Sequence, residues 1–471
     1  MNNQVQNRYP WIVITVFFAL LCSVRASEFF WVDGDSPWHV LTGEVIRQTR
    51  SIPHTNIWDV SSPSYPWTNI SWAYDVWLGI VYAYAGMLGI VAWVLCASTG
   101  LLISLVALQR VKGIARSLAV LSALCAYVFL SCSMTARPQL AAQVFFIGYL
   151  ILLRSRWPIY FRILAQTILA IFWVNTHGSY LLLPLLALAG MLVSAQHIKL
   201  SRRIIIECIP LAGILVNPYG MAVFNGAIVS IASDFGPIVE WLQPNFFLQV
   251  VIVFLTLFGL LRGSRCDAIA HERVLLLPLA YLAISSARHL PFFAIAATVI
   301  VADWLQNKPA LLAFSQRISK PIFSGTAAGL FLVYHLFATQ IGLPGLFSTE
   351  NISGNSERIP LSEIAYLRDH FSPQPVFADY NYGGLLLFLS KAEFRPFVDG
   401  RAVTAYSNQR LSQYMQIQQD PQLIVQTNIN IALLQIGDMS NNFAKMESWE
   451  KRFCGPVACI FEKSDRLILK D

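Results

Sequence analysis

Residues 78–108 read LGIVYAYAGMLGIVAWVLCASTGLLISLVAL, without one Asp, Glu, Lys or Arg. A helix of this composition has no polar face to turn toward water, whereas a hydrocarbon core of roughly 30 Å selects for it. The run from 76 to 108 is longer than one crossing needs, so it is expected to hold an interfacial helix ahead of a true span. Comparable apolar runs lie near 11–27, 117–133, 138–153, 161–175, 179–195, 204–217, 246–262, 274–287, 291–305 and 321–340, eleven in all. The whole chain of 471 residues is 56% hydrophobic and 13% charged, with a mean hydropathy of +0.54. A soluble globule is excluded. The reading is a polytopic α-helical membrane protein of about eleven spans.

A net charge of +7 raises the question of nucleic acid. The basic residues answer it by their placement. Arg110/Lys112/Arg116, Arg154/Arg156, Lys199/Arg202/Arg203, Arg262/Arg265/Arg273 and Lys308/Arg317/Lys320 fall in every second connection. They set topology, put those loops and the amino terminus in the cytoplasm, and leave no nucleic-acid surface. Eleven spans then place everything after Gln340 outside. The first run is followed by Arg25-Ala-Ser-Glu28, with no small-x-small cleavage site, and is read as a retained span.

The expected organisation is a transmembrane domain at 1–340, with a first outer loop at 28–76, and an outer α/β domain at 341–471. In that tail Leu361–Phe371 and Asp420–Thr427 read as helices. Pro375–Ala378, Phe394–Val398, Ile429–Gln435 and Ala458–Phe461 read as strands.

The polar motifs gather on the outer side. Asp33-Gly-Asp35-Ser-Pro-Trp-His39 puts two carboxylates on one turn at the end of the first span. Such a pair suits general-base work, or holds a divalent cation (Mg²⁺ or Mn²⁺) beside phosphate. The alternative is a solvated, helix-capping loop. His177 after Asn175, and His289 beside Arg288, stand where ionisable groups are costly; they either line a cavity or reach to the interface. Arg137 and Arg288 run against the positive-inside bias, which favours an anion such as a lipid phosphate. Trp58, Trp67, Trp72 and Trp77, with Tyr65, Tyr74, Tyr82 and Tyr84, read mainly as an interfacial aromatic belt, a minority as a sugar-stacking surface. In the tail, Asp379-Tyr-Asn-Tyr-Gly-Gly384 and Phe397-Val-Asp-Gly-Arg401 stand out. Asp399 and Arg401 form either a buried ion pair or a groove wall. Cys454 and Cys459 flank Gly-Pro-Val-Ala in a hairpin, where a disulfide is expected. The other six cysteines show no metal-ligand spacing. No Walker loop, His-Glu-x-x-His helix or Gly-x-Ser-x-Gly elbow is present.

Taken in order, the first-loop acids, Asn175-x-His177-Gly178, Asn217-Pro-x-Gly220, Glu240-Trp241, Arg288-x-x-Pro291 and Phe397-x-Asp-Gly-Arg401 resemble a large bacterial family of GT-C membrane glycosyltransferases, over about Trp31 to Phe461. The resemblance implies a polyprenyl-phosphate-type sugar donor, an acidic residue of the first outer loop at the active centre, and transfer on the outer face of the cytoplasmic (inner) membrane. Asp33 and Asp35 take the acidic-motif place. Many relatives carry an acid just before the Trp matching Trp72; here Ile70-Ser71 precede it, and Asp75 is the candidate substitute.

The sequence therefore points to transfer of a sugar or glycan from a polyprenyl-linked donor to a hydroxyl acceptor: a lipid, a glycan, or a protein such as a pilin-like substrate. Asp33, Asp35 and His39 are the catalytic candidates, and Arg137, Arg288, His177 and His289 the donor-phosphate candidates. Trp72, Asp75, Glu240, Asp399 and Arg401 bind substrate or support the site. The rival readings are a secondary transporter or flippase of envelope lipid-linked sugars, and a non-catalytic envelope assembly protein.

Overall fold

The computed structural model describes residues 33–60, 64–193, 199–225, 242–261, 269–318 and 359–464, with Phe18, Ala19 and Cys22. The expected span at 321–340, most of that at 11–27, and Glu240-Trp241 lie outside the described residues. The chain divides into two compact units. One comprises Met1–Ala26, Val91–Met221 and Asp234–Ala338, the other Ser27–Ile90, Ala222–Ser233 and Thr339–Asp471. A division at 340 would leave the first outer loop with the membrane helices; in the structure that loop belongs with the tail.

Helix α1, Ser36–Thr49, starts where Pro37 has no N–H to lose and ends at Arg50, in the left-handed conformation with φ 53°. Helix α2, Trp72–Val111, contains the long apolar run. It breaks at Gly86, whose φ of 55° and ψ of −147° are open to glycine and strained for other residues. The run is thus a bent helix.

The first unit continues through α3 Arg116–Leu130, α4 Pro138–Leu153, α5 Ile159–Val174, α6 Leu183–Val193, α7 Leu200–Cys208, α8 Phe246–Leu261, α9 Ala270–Ser285, α10 Leu290–Gln306 and α11 Pro309–Ile318. Among the described residues Trp72–Val111, Arg116–Ser133 and Ala287–Gln306 are long and apolar enough to cross a membrane, and Pro138–Leu153, Ile159–Val174, Gly178–Val193 and Phe246–Leu261 are shorter apolar helices. The apolar stretch at 204–217 is not one continuous helix. Pro210 ends α7 by removing a backbone donor, and the chain goes on as a 3₁₀ segment, Ile209–Leu215, packed against α5. The contact is close: a methyl group on Gly213 would lie 2.7 Å from the Thr167 carbonyl oxygen.

Helix α10 packs against α3 and α9, and its small residues Ala294, Ala297 and Ala302 are buried. Phe246, Phe254 and Leu261 of α8 and Tyr281 of α9 stay exposed, the outward face a hydrocarbon surround favours. Two ion pairs are buried at the basic ends of the helices. Lys112 Nζ lies 3.0 Å from Glu272, and an Arg162 guanidinium nitrogen 2.8 Å from Glu207. Each carboxylate neutralises a cation that would otherwise be stranded.

The tail is built from α12 Leu361–His370, β1 Pro375–Ala378, α13 Gly383–Leu389, β2 Arg395–Pro396, α14 Asn408–Gln419, β3 Ile431–Gln435, α15 Asp438–Phe443, β4 Trp449–Cys454 and β5 Ala458–Lys463. Its sheet has the order β2-β1-β3-β5-β4, with β1 parallel to β2 and β3 and with β5 antiparallel to β3 and β4. Buried Ile364, Leu367, Val376, Leu386, Leu433 and Ile460 form its core. The Glu363 carboxylate accepts the N–H groups of Val457 and Ala458 at 3.1 and 2.9 Å and so fixes the β4–β5 turn. Beside that turn Cys454 and Cys459, a directly opposed pair, form a disulfide with Cα atoms 4.1 Å apart. The segment read as a helix at 420–427 is a 3₁₀ turn, Pro421–Gln426, opened by the Asp420 side chain, which accepts the Gln422 N–H.

Candidate active site

The Asp33-Gly-Asp35 turn is held by its own side chains. Asp33 accepts the Asp35 backbone N–H at 3.3 Å through Oδ1 and the Ser36 hydroxyl at 2.5 Å through Oδ2. From the third residue of α1, the Trp38 indole N–H donates to Asp35 Oδ1 at 3.2 Å. Both carboxylates are partly accessible, while Ser36, Trp38 and His39 are buried.

His39 lies one turn after Asp35. Its ring stacks on Trp38 with centroids 3.6 Å apart, and its Nδ1 is 2.6 Å from Asp75 Oδ1. The second Asp75 oxygen accepts the Asn69 side-chain N–H at 2.8 Å, and Asn69 Oδ1 accepts the Ser71 N–H and hydroxyl. Two glycines make this meeting possible. Helices α1 and α2 cross at Gly43 and Gly79, and a methyl on Gly79 would lie 2.6 Å from the Glu44 nitrogen, so no larger residue fits. Asp75, one turn into α2, therefore reaches His39. Trp72 opens that same helix.

The loop between α1 and α2 turns inward. Asn56 bonds the Ala405 carbonyl at 3.1 Å, and Trp58 and Trp67 are buried. The Arg401 guanidinium lies against both indoles, 4.6 Å from the Trp58 ring and 5.0 Å from the Trp67 ring. It donates to Asp399 through Nε at 2.9 Å and Nη2 at 2.6 Å, to Asn56 Oδ1 at 2.6 Å, and to the Tyr406 hydroxyl oxygen at 3.1 Å. The Tyr406 hydroxyl in turn donates to Asp399 at 2.8 Å. Burial opposes the Arg401 charge most strongly, but Asp399 and Tyr406 together hold the guanidinium above its ordinary pKa. Burial, then the Asp399 charge, push the Tyr406 phenol up. Of the two alternatives for Asp399 and Arg401, the structure shows the buried ion pair. It also corrects the reading of the aromatic residues: Trp58 and Trp67 enclose Arg401, whereas Trp77 and Tyr84 remain exposed.

The acidic turn meets the tail motifs backbone to backbone. A methyl on Gly34 would lie 2.9 Å from the Asn381 carbonyl oxygen, one on Gly384 would overlap the Gly34 carbonyl, and one on Gly400 would overlap the Asp35 carboxylate. Beside this seam α13 packs along α1, and Tyr82 meets Phe388 edge to face at 5.4 Å. The structure thus gathers Asp33, Asp35, His39, Asp75, Asp399 and Arg401 in one unit. Asn56 and Asn69 join them without any signal in the sequence, and Trp38 and Gly400, which lie inside the two quoted motifs, gain their part only from partners that the fold supplies.

The remaining candidates belong to the other unit. Arg137 precedes α4, and His177 caps the 3₁₀ turn Gly178–Leu182, where its Nδ1 lies 2.8 Å from the Ser179 hydroxyl. Arg288 and His289 form the turn before α10. That turn, α4 and the Gly178–Leu182 turn are linked by direct packing of α10 on α4 and of α4 on the 3₁₀ segment. Among the described residues no group of three or more His, Cys, Asp or Glu side chains gathers as a metal site.

No family model and no curated protein matches the sequence. Solved structures do. ArnT from Cupriavidus metallidurans bound to undecaprenyl phosphate is 11% identical, with 97% of this chain and 98% of that chain covered and a TM-score of 0.57. Its apo state is 14% identical with the same coverage and a TM-score of 0.56. The Archaeoglobus fulgidus oligosaccharyltransferase in the apo form is 10% identical, with 91% and 70% covered and a TM-score of 0.56. Both proteins are GT-C glycosyltransferases. A structural likeness at identities this low shows the fold alone: this chain has the GT-C architecture, a helical membrane protein with a C-terminal sheet domain.

Proposed function

We propose that the chain transfers a sugar or glycan from a polyprenyl-(pyro)phosphate donor to a hydroxyl acceptor at the outer face of the inner membrane. The observation that carries this reading is the partly accessible Asp33-Gly-Asp35 turn, backed by the His39–Asp75 pair, in a chain of GT-C architecture. Undecaprenyl phosphate bound to ArnT supports the donor class. The disulfide supports an outer tail, since such bonds persist in oxidising compartments. With alternating basic loops, that orientation gives eleven spans and a cytoplasmic amino terminus.

In the proposed reaction the acceptor oxygen attacks the anomeric carbon from the face opposite the phosphate. One carbon–oxygen bond forms, the bond to the leaving phosphate breaks, and the configuration inverts. Asp35 takes the acceptor's proton. Asp33, whose oxygens hold the turn, keeps Asp35 in place. Asp75 fixes the ring of His39, which orients the acceptor. Within the other unit, Arg137 and Arg288, with His177 and His289, are the proposed binders of an anionic phosphate. A divalent cation held by Asp33 and Asp35 would supply further charge neutralisation.

Asp35→Asn preserves shape and removes charge and basicity. Transfer from radiolabelled lipid-linked sugars in membranes, at equal protein level, is expected to fall about 10²–10⁴-fold. Near-normal transfer by both Asp33→Asn and Asp35→Asn overturns the assignment.

A further inference from the structure

Sheets with parallel strands receive their ligands outside the carboxyl ends of those strands. In the tail the loops leaving β1 and β2 carry Asn381-Tyr-Gly-Gly384 and Asp399-Gly-Arg401. What sits against them is the chain's own acidic turn. Gly34 lies on Asn381 and Gly384, and the Asp35 carboxylate lies on Gly400. The same Asp35 oxygen, Oδ1, takes the Trp38 indole N–H, and that nitrogen would be 3.2 Å from a methyl on Gly400. Gly400 is fixed in turn by its neighbours. Asp399 accepts the Arg401 backbone N–H at 3.0 Å, and Arg401 is clamped by Asn56, Tyr406 and two indoles.

We infer that Gly400 and Trp38 are positioning residues: they set the direction of the Asp35 carboxylate, and the tail is a working part of the catalytic centre. The inference rests on the reading that Asp35 serves in transfer. If the tail only covered the site or held the acceptor, the Asp35 seat would be incidental, and removing a single N–H from it would change nothing at saturating substrate. If the seat aims the carboxylate, a displacement of about 1 Å costs on the order of 10²-fold in rate.

The test compares Gly400→Ala, Trp38→Phe, Asp35→Asn and the double serine variant of Cys454 and Cys459 in the full chain. Binding of undecaprenyl phosphate, counted per mole of protein, reports the folded fraction. Transfer of radiolabel from lipid-linked sugars is then expressed per binding-competent molecule. Gly400→Ala is expected to lower this rate about 10²-fold, and Trp38→Phe about 10-fold, with phosphate-lipid binding within about 3-fold of the parent. The serine variant perturbs the tail away from the seam and keeps the parent rate. Should Gly400→Ala lose binding through misfolding, Trp38→Phe decides alone, because it removes a donor without adding bulk. Parent-like rates for the folded seam variants, beside an inactive Asp35→Asn, would refute the positioning role and leave the functional reading intact. Parent-like rates for Asp35→Asn and Asp33→Asn would instead refute the functional reading.

Discussion

Arg401 offers the clearest quantitative test of the tail's construction. Its guanidinium has no exposed surface and serves three partners at once: Asp399 through Nε and Nη2, Asn56 through Nη1, and Tyr406 through Nη2. A lysine keeps the charge but cannot fork. It retains a bond to Asp399 and gives up those to Asn56 and Tyr406. Charge-assisted bonds contribute roughly 1.5–3 kcal/mol each, so after partial rebonding Arg401→Lys is expected to cost about 2–4 kcal/mol. Arg401→Met is worse, because it strands the Asp399 carboxylate, at about 3–5 kcal/mol. For a unit of this size that corresponds to a fall in melting midpoint on the order of 5–15 °C. Removing the stranded charge as well, with Asp399→Asn in the Arg401→Met background, should recover part of the loss. The assay is thermal unfolding of the detergent-solubilised full chain, followed by tryptophan fluorescence, to which Trp58 and Trp67 beside the guanidinium contribute. A midpoint shift below about 2 °C for Arg401→Met, or a double variant less stable than either single one, would refute the reasoning.

Two further outcomes are expected. Burial, opposed by the Gln435 N–H and by Gln418, lifts the Asp379 carboxyl above its ordinary range. Between that ordinary value and the raised one the native state holds more protons than the unfolded state, so this residue's contribution to stability falls as pH rises through the interval. Asp379→Asn should therefore raise the melting midpoint at pH 7.5 and make little difference below pH 3; equal midpoints at neutral pH would show that its charge is not penalised. For the β4–β5 hairpin, loss of the Cys454–Cys459 bond should cost about 1–3 kcal/mol and leave transfer in place, because so short a loop constrains the unfolded chain little. Non-reduced peptide mapping of protein from native membranes should find the bond. Two free thiols there would count against both the bond and the outer placement of the tail.

Much of the fold was legible because its signals are local. Apolar runs such as 138–153 and 291–305 mark helices by length and composition. Pro375–Ala378 and Ala458–Phe461 mark strands by buried β-formers. Strand β4 escaped notice because Trp449-Glu-Lys-Arg452 is mostly charged, as suits the edge of a sheet. The acids of the first loop were legible as a motif. Their surroundings were not: Gly400 seats Asp35 from the far end of the chain, and nothing near either residue announces the other. Trp58 and Trp67 look like interfacial residues for the same reason. Indoles suit a headgroup boundary and the surroundings of a buried guanidinium equally well, and only the position of Arg401 decides between them. Asp75 and His39 are both legible in the sequence, one beside Trp72 and the other in the acidic motif, but their pairing depends on a crossing of two glycines that no spacing rule encodes.

The Lys112–Glu272 pair has a consequence for how the chain is made. Its members are 160 positions apart, so a ribosome adding roughly 5–20 residues per second exposes the lysine about 8–30 s before its counter-ion is synthesised. During that wait the ammonium stays at the aqueous boundary, where its long stem lets it reach water. The end of α2 that carries Lys112 is therefore seated late, after six further helices among the described residues, α3 to α8, have been made. A translation arrest placed between the two residues would hold the protein with that lysine still open to aqueous amine reagents, and release of the arrest would close it.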